Sequence, residues 1–273
     1  MDYRNHTGVN FFSPETKTAL VVGHPGHELR VFHWLEMMRP TVFVLTDGSG
    51  SLGQSRLPST TRILDQVSAA KGSFYGRLTD KEAYRAILDR QIDLFEALVH
   101  ELVKHLLDEQ VEYVAGDARE GYNPSHDVCR LLIDAAVEAA SRRSGRKIGN
   151  FEFVLTGAPD NFPEHGSNGA NGFIRLQLDD PAFARKMTAA HCYAELHEEV
   201  EDAIAQNRVE AFRLECLRPV TQPESLFARD HKPYYEQHGE NRVADGHYRE
   251  VIRYREHFVP LAEGLWQQIE KGL

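Results

Sequence analysis

The sequence predicts an α/β fold: a mostly parallel sheet covered by helices on both faces, with a helical C-terminal extension. Two observations carry that prediction. Short apolar runs recur along the first half of the chain, "TALVV", "TVFVL", "VEYVAG" and "FEFVLTG", each apolar almost throughout rather than alternating. That is the pattern of strands buried on both faces. Between them lie stretches with helical spacing of apolar residues, and such alternation makes a parallel sheet.

Taken in order, "TALVV" (18–22) is a buried strand ended by Gly23. "ELRVFHWLEMM" (28–38) has Leu29, Phe32 and Leu35 at helical spacing and is stopped by Arg39-Pro40. "TVFVL" (41–45) is the second strand, and "TDGSGSLG" (46–53) is the loop at its end. A helix is expected from Pro58-Ser59 to about Lys71, with Gly72 as its stop. A long helical stretch follows from Thr79-Asp80 to Asp108. "VEYVAG" (111–116) is the third strand, Ser125 to Arg142 an amphipathic helix ended near Gly145, and "FEFVLTG" (151–157) the fourth strand.

After residue 158 the pattern changes. "APDNFPEHGSNGANG" (158–172) is a Gly/Asn-rich loop, "FIRLQLDD" alternates like a strand with one exposed face, and Pro181 to Gln206 reads as a charged helix. The part from about Ser225 is rich in Tyr, Arg and His, with two further helical stretches. We expect a single α/β domain over 1–273, its core at about 16–180 and the helical extension at about 181–273. The extension is left with three roles: packing on the core, lidding a site, or making a subunit contact in a homo-oligomer.

Composition narrows the function. The chain has 273 residues, 41% hydrophobic and 26% charged, which is ordinary for a globular protein with a sizeable core. A net charge of −10 provides no basic field for a nucleic-acid partner, so a small-molecule substrate is the expectation. Three widely spaced cysteines form no CxxC pair. Together with a polar start, "MDYRNHTGVNFF", and no membrane-length apolar run, they predict a cytoplasmic location and no membrane span.

In a parallel sheet the crossover rule puts every strand's C-terminal end on one edge, and ligands bind there at a switch in strand order. "VVGHPGHELRV" (21–31), "TDGSG" and "GDAREGYNPSHD" (116–127) all sit at such ends. Zinc takes imidazole and carboxylate ligands and keeps a position for water in catalytic sites. His24 and His27 offer two ligands from one turn, and His126, at the start of a helix after the third strand, offers a third. The alternative is that these histidines only pack a turn. The chain has 14 histidines, no HExxH, and a lone HxxH pair is a weak signal. His33, His100 and His105 fall within expected helices. His191 and His197 lie near a helix start, where either reaches the site or, more plainly, faces solvent. "TDGSGSLG" matches neither GxGxxG nor GxxxxGK[ST], which argues against a nucleotide binder.

"VVGHPGHE" resembles the opening motif of the PIG-L/LmbE-like zinc deacetylases, A-H-P-D-D-E after the first strand. "EGYNPSHDVCRLL" resembles their second motif, H-P-D-H before a helix, and "TRILDQVSAA" their R-x-x-E helix. The resemblance spans roughly residues 16 to 145. It implies a Rossmann-like fold, one zinc, and removal of acetyl groups from N-acetylglucosamine-type sugars. By position it makes His24 and His126 zinc ligands, puts His27 where the family has an aspartate ligand, and makes Arg62 a substrate-binding residue. Iron is compatible with the same three histidines.

The sequence departs from the pattern where the chemistry is done. Gly26 stands at the general base, Asn123 at the histidine that helps the oxyanion, and Ser125 at the aspartate of the second motif. Asn123 is still able to donate to an oxyanion. A replacement base has to come from another carboxylate, and Asp47 and Asp117 follow core strands on the same edge. Glu28 and Asp127 read as groups serving helix N-termini, with Asp127 alternatively orienting a ligand. Losing a base costs ~10²–10⁴-fold. The resemblance therefore implies a metal-dependent hydrolase deacetylating an N-acetylated sugar or related amide. The alternative is a metal- or sugar-binding protein on the same fold with impaired catalysis.

Overall fold

A computed structural model of the chain describes residues 13, 15–50, 53–161, 172–220 and 231–271. Seven strands form one sheet in the order β3-β2-β1-β4-β5-β7-β6. They are β1 Thr18–Val22, β2 Thr41–Thr46, β3 Ala70–Leu78, β4 Tyr113–Asp117, β5 Gly149–Phe153, β6 Ile174–Gln177 and β7 Leu214–Pro219. Strands β1 to β5 pair parallel, while β7 runs antiparallel to both β5 and β6. The helices are α1 Phe32–Met38, α2 Leu57–Val67, α3 Asp80–Leu88, α4 Ile92–Asp108, α5 Pro124–Ser144, α6 Asp180–His191, α7 His197–Asn207, α8 Tyr234–Ala244 and α9 Val259–Glu270.

The strands are apolar throughout because each serves two cores. Successive side chains on a strand point to opposite faces. Ala19 and Val21 enter one core with α3, α4, α5 and α9; Leu20 and Val22 enter the other with α1, α2 and α6. Phe43 and Leu45 on β2 follow the first pair, Val42 and Val44 the second. The order of strands reverses at β1, which has β2 on one side and β4 on the other. The crevice at the C-terminal ends of β1 and β4 is therefore the place where such a sheet binds ligands. Among the described residues no helix is long and apolar enough to cross a membrane.

The structure corrects four sequence readings. The helix expected to reach Lys71 ends at Val67, and residues 70–78 form the edge strand β3. Its side chains are mostly exposed or half-buried and its pairing with β2 is irregular, so no clean alternation marks it. Gly72, expected as a helix stop, is a strand glycine: a Cβ there would lie 2.3 Å from the Phe43 ring. The stretch 79–108 is two helices, broken at Arg90 with φ 50°. The charged stretch 181–206 is also two helices, α6 and α7, parted at Tyr193. There the tyrosine hydroxyl meets the Thr60 hydroxyl at 2.9 Å and donates to the Arg56 carbonyl at 3.2 Å, drawing the chain onto the sheet edge. Finally, the extension is not helical alone, because it supplies β7. Residues 1–12, most of the 158–172 loop and the start of the expected C-terminal helical region lie outside the described residues.

One buried ion pair fastens the extension. Lys186 of α6 donates to Glu215 of β7 at 2.9 Å and to the Arg30 carbonyl at 3.0 Å. Glu215 also accepts the His33 and Trp34 backbone N–H groups at the start of α1, at 2.9 and 2.8 Å.

Candidate metal centre

The site begins at the end of β1. Gly23 donates its N–H to Asp117 Oδ2 at 2.7 Å, joining the ends of β1 and β4. The chain then turns through Gly26, whose φ of 104° suits a residue without a Cβ. Glu28 Oε2 accepts the Gly26 N–H at 2.7 Å, and its Oε1 accepts the Thr60 hydroxyl at 2.7 Å. Glu28 is thus a buried clasp on the turn, and burial pushes its carboxyl up to about 7.

The turn puts His24 and His27 against His126, in the first turn of α5. Ring centroids are 5.3 Å apart for His24–His27, 4.9 Å for His24–His126 and 4.6 Å for His27–His126, all edge to face. His24 and His126 are buried, and His27 nearly so. Burial, followed by the charges of the neighbouring rings, holds His27 and His126 well below the usual imidazole range, so both are neutral at physiological pH.

Hydrogen bonds fix which nitrogen of two rings faces inward. Thr46 Oγ1 donates to the Gly23 carbonyl at 3.1 Å, so it must accept from His24 Nδ1 at 2.6 Å. Asp80 Oδ1, at the start of α3, lies 3.1 Å from the same Nδ1. His24 therefore carries its proton on Nδ1 and leaves a lone pair on Nε2. That Nε2 is buried with no hydrogen-bond partner, and so is Nδ1 of His126. His27 Nδ1 lies 2.8 Å from Asp117 Oδ2, which directs its Nε2 away from that carboxylate. A carboxylate behind each of two imidazoles is the support that metal-ligating histidines have.

By its chemistry the donor set suits a divalent transition metal: three imidazoles, two with partnerless buried nitrogens. Among the described residues, no group of three or more His, Cys, Asp or Glu side chains stands in an arrangement that could hold a metal ion.

The other expected site residues divide. Asp117 lies in the cluster, fully buried, with Oδ1 unpartnered and its carboxyl pushed up to about 7 by burial. Asp47 is turned into its own loop, where Oδ1 accepts the Ser49 N–H at 3.0 Å, and it makes no described contact with the histidines. Asn123 caps α5, accepting the Ser125 N–H at 2.8 Å, which leaves its amide nitrogen as the donor it can offer. Arg62 is exposed on α2 and donates to Ser59 Oγ at 2.7 Å. It lines a cavity of about 30 Å³ with Gln66, Cys192 and Tyr193, away from the histidines. Asp127 accepts the Gly121 N–H at 2.9 Å, tying down the loop before α5. His191 and His197 are exposed.

No protein-family model matches the chain, and no curated protein does. Solved structures do. A deacetylase–bog complex from the teicoplanin biosynthesis pathway is 11% identical, with a TM-score of 0.51 over 76% of this chain and 100% of that one. A deacetylase–teicoplanin complex is 12% identical, with a TM-score of 0.50 over 77% and 100%. The A40926 pseudoaglycone deacetylase is 18% identical, with a TM-score of 0.49 over 86% and 94%. At these identities the two likenesses with TM-scores of 0.51 and 0.50 establish the fold, an α/β sheet of the type expected from the sequence.

Sequence reasoning missed the residues that cover and support the cluster. Asp80 sits inside a complete capping box made by Thr79 and Glu82, so its own carboxylate is spare; that surplus is the signal which marks it. Tyr193 and Leu196 left no local signal. A Cβ on Gly26 would lie 2.1 Å from Leu196 Cδ1 and 3.6 Å from Tyr193 Cζ. The short 3₁₀ turn Ala194–Leu196 therefore packs over Gly26.

Proposed function

We propose that the chain is a metal-dependent amide hydrolase that removes an acyl group from an N-acylated sugar conjugate. The observation that carries this reading is the set of three imidazoles packed ring against ring at the strand-order switch, His24 and His126 buried and His27 nearly so, two of them with partnerless buried nitrogens. The deacetylase names of the fold's solved relatives and the motif resemblance support it.

His24, His27 and His126 would hold the ion, zinc or iron. Such an ion supplies Lewis acidity toward an acyl carbonyl and makes water nucleophilic near neutral pH. Thr46 and Asp80 fix the tautomer of His24, and Asp117 orients His27. Asp117, through its unpartnered Oδ1, would be the general base. Asn123 can donate from its amide nitrogen to a developing oxyanion. Arg62 would bind substrate only along the outer seam between α2 and α6.

A second reading, binding without turnover, is favoured by one observation: Leu196 fills the space beside Gly26. The deciding experiment is acetate release from a panel of N-acetylated amino sugars by zinc-reconstituted and chelator-treated protein. Zinc-dependent release supports hydrolysis. Sugar binding without release by fully loaded protein supports the second reading.

A further inference from the structure

Four large apolar side chains are exposed among the described residues: Met37, Tyr122, Tyr234 and Tyr248. Tyr248 is partnered, edge-on to Tyr84 at 5.7 Å and beneath the Arg242 guanidinium at 5.6 Å. Tyr122 and Tyr234 are different. Their rings stack with centroids 5.1 Å apart and planes 3° from parallel, yet the residues are 51% and 55% exposed. Tyr234 also stacks on His238 at 5.8 Å and 25°. The three rings make a short ladder, and among the described residues Tyr122, at its end, has a ring on one side only.

The ladder is tied to the loop that leads into the candidate centre. Tyr235, buried, donates its N–H to the Gly121 carbonyl at 3.2 Å, and Gly121 donates to Asp127 at 2.9 Å. These two bonds tie the start of α8 and the Tyr122 loop to the first turn of α5, which carries His126. Three residues of chain separate Tyr122 from His126, so their Cα atoms lie at most ~14 Å apart. That is a reach of one or two sugar rings. Flat apolar surface flanked by polar groups, here Asn123 and His238, suits a pyranose, whose C–H face stacks while its hydroxyls stay hydrogen-bonded.

We propose that the open face of Tyr122 is a stacking subsite for a second pyranose ring, so that the substrate is an N-acylated sugar joined to a further sugar. The position of the scissile group rests on the hydrolase reading; the stacking subsite itself is tested by binding alone. The probes are N-acetylglucosamine and its β-1,4-linked disaccharide, titrated calorimetrically into metal-free full-length protein. Wild type and Tyr122→Phe are expected to bind the disaccharide about tenfold more tightly than the monosaccharide. Tyr122→Ala is expected to abolish that advantage and Tyr234→Ala to reduce it, with the fold of each checked by circular dichroism. His27→Ala should keep the advantage, so failure of zinc-dependent acetate release with the advantage intact removes the hydrolase and leaves the subsite. Equal affinity for the two saccharides in wild type, no measurable binding of the disaccharide at millimolar concentration, or an undiminished advantage in folded Tyr122→Ala overturns the proposal.

Discussion

The two walls of the histidine cluster are built in opposite ways. The sheet-edge wall comes from strand ends and the helix turns that follow them: His24, His27, Thr46, Asp80, Asp117 and His126. It is polar, and its side chains hold one another by hydrogen bonds. The covering wall, Tyr193 and Leu196, comes from a break between two helices far along the chain. It is mainly apolar and is pinned at its margins by the Tyr193 hydroxyl, by Glu195 on Ser59 at 2.7 Å and by Glu199 near Arg56 at 3.5 Å. The first wall is set by topology, the second by tertiary packing.

The largest expected effect lies at the anchor of the covering wall. Lys186→Met leaves Glu215 buried without its cation and should cost about 3–5 kcal/mol, read from urea unfolding. A cost under about 1 kcal/mol would mean that the extension does not depend on this pair. Next, Gly26→Asp puts a side chain into Leu196 at a φ that L-residues resist, for a loss of about 2–4 kcal/mol. Combined with Leu196→Ala the loss should be smaller than the sum of the two single changes. Strict additivity would show that the two walls do not touch.

What was legible in the sequence follows the same division. The strands and His24, His27 and His126 could be read because a buried parallel strand is apolar along its length and polar residues stand out where it stops. Edge strand β3 could not, since much of it is exposed and Gly72 resembles a helix stop. The substrate role of Arg62 rests on motif position alone; α2 turns Ser59, Thr60, Ile63 and Leu64 inward and leaves position 62 outside. Tyr193 and Leu196 were illegible because their role exists only once the extension has folded back.

Two smaller effects sharpen the polar wall. Asp80→Asn keeps the size of the group behind His24 but removes its charge, and should weaken zinc binding about 10–100-fold in a chelator competition. An unchanged affinity would reduce Asp80 to a prop for the Gly50 N–H, which its Oδ2 accepts at 2.6 Å. Asn123→Ala removes the cap of α5 and should cost about 1 kcal/mol in thermal or urea unfolding. A negligible cost would mean that the cap contributes little to holding His126 in place.

The most direct test of the central claim is the metal content of the purified protein, native and His27→Ala, by elemental analysis after reconstitution with zinc or iron. The account predicts close to one equivalent of metal in the native protein and its loss in the variant. A native protein that takes up no metal would contradict it, and the three imidazoles would then be packing groups at the end of a strand.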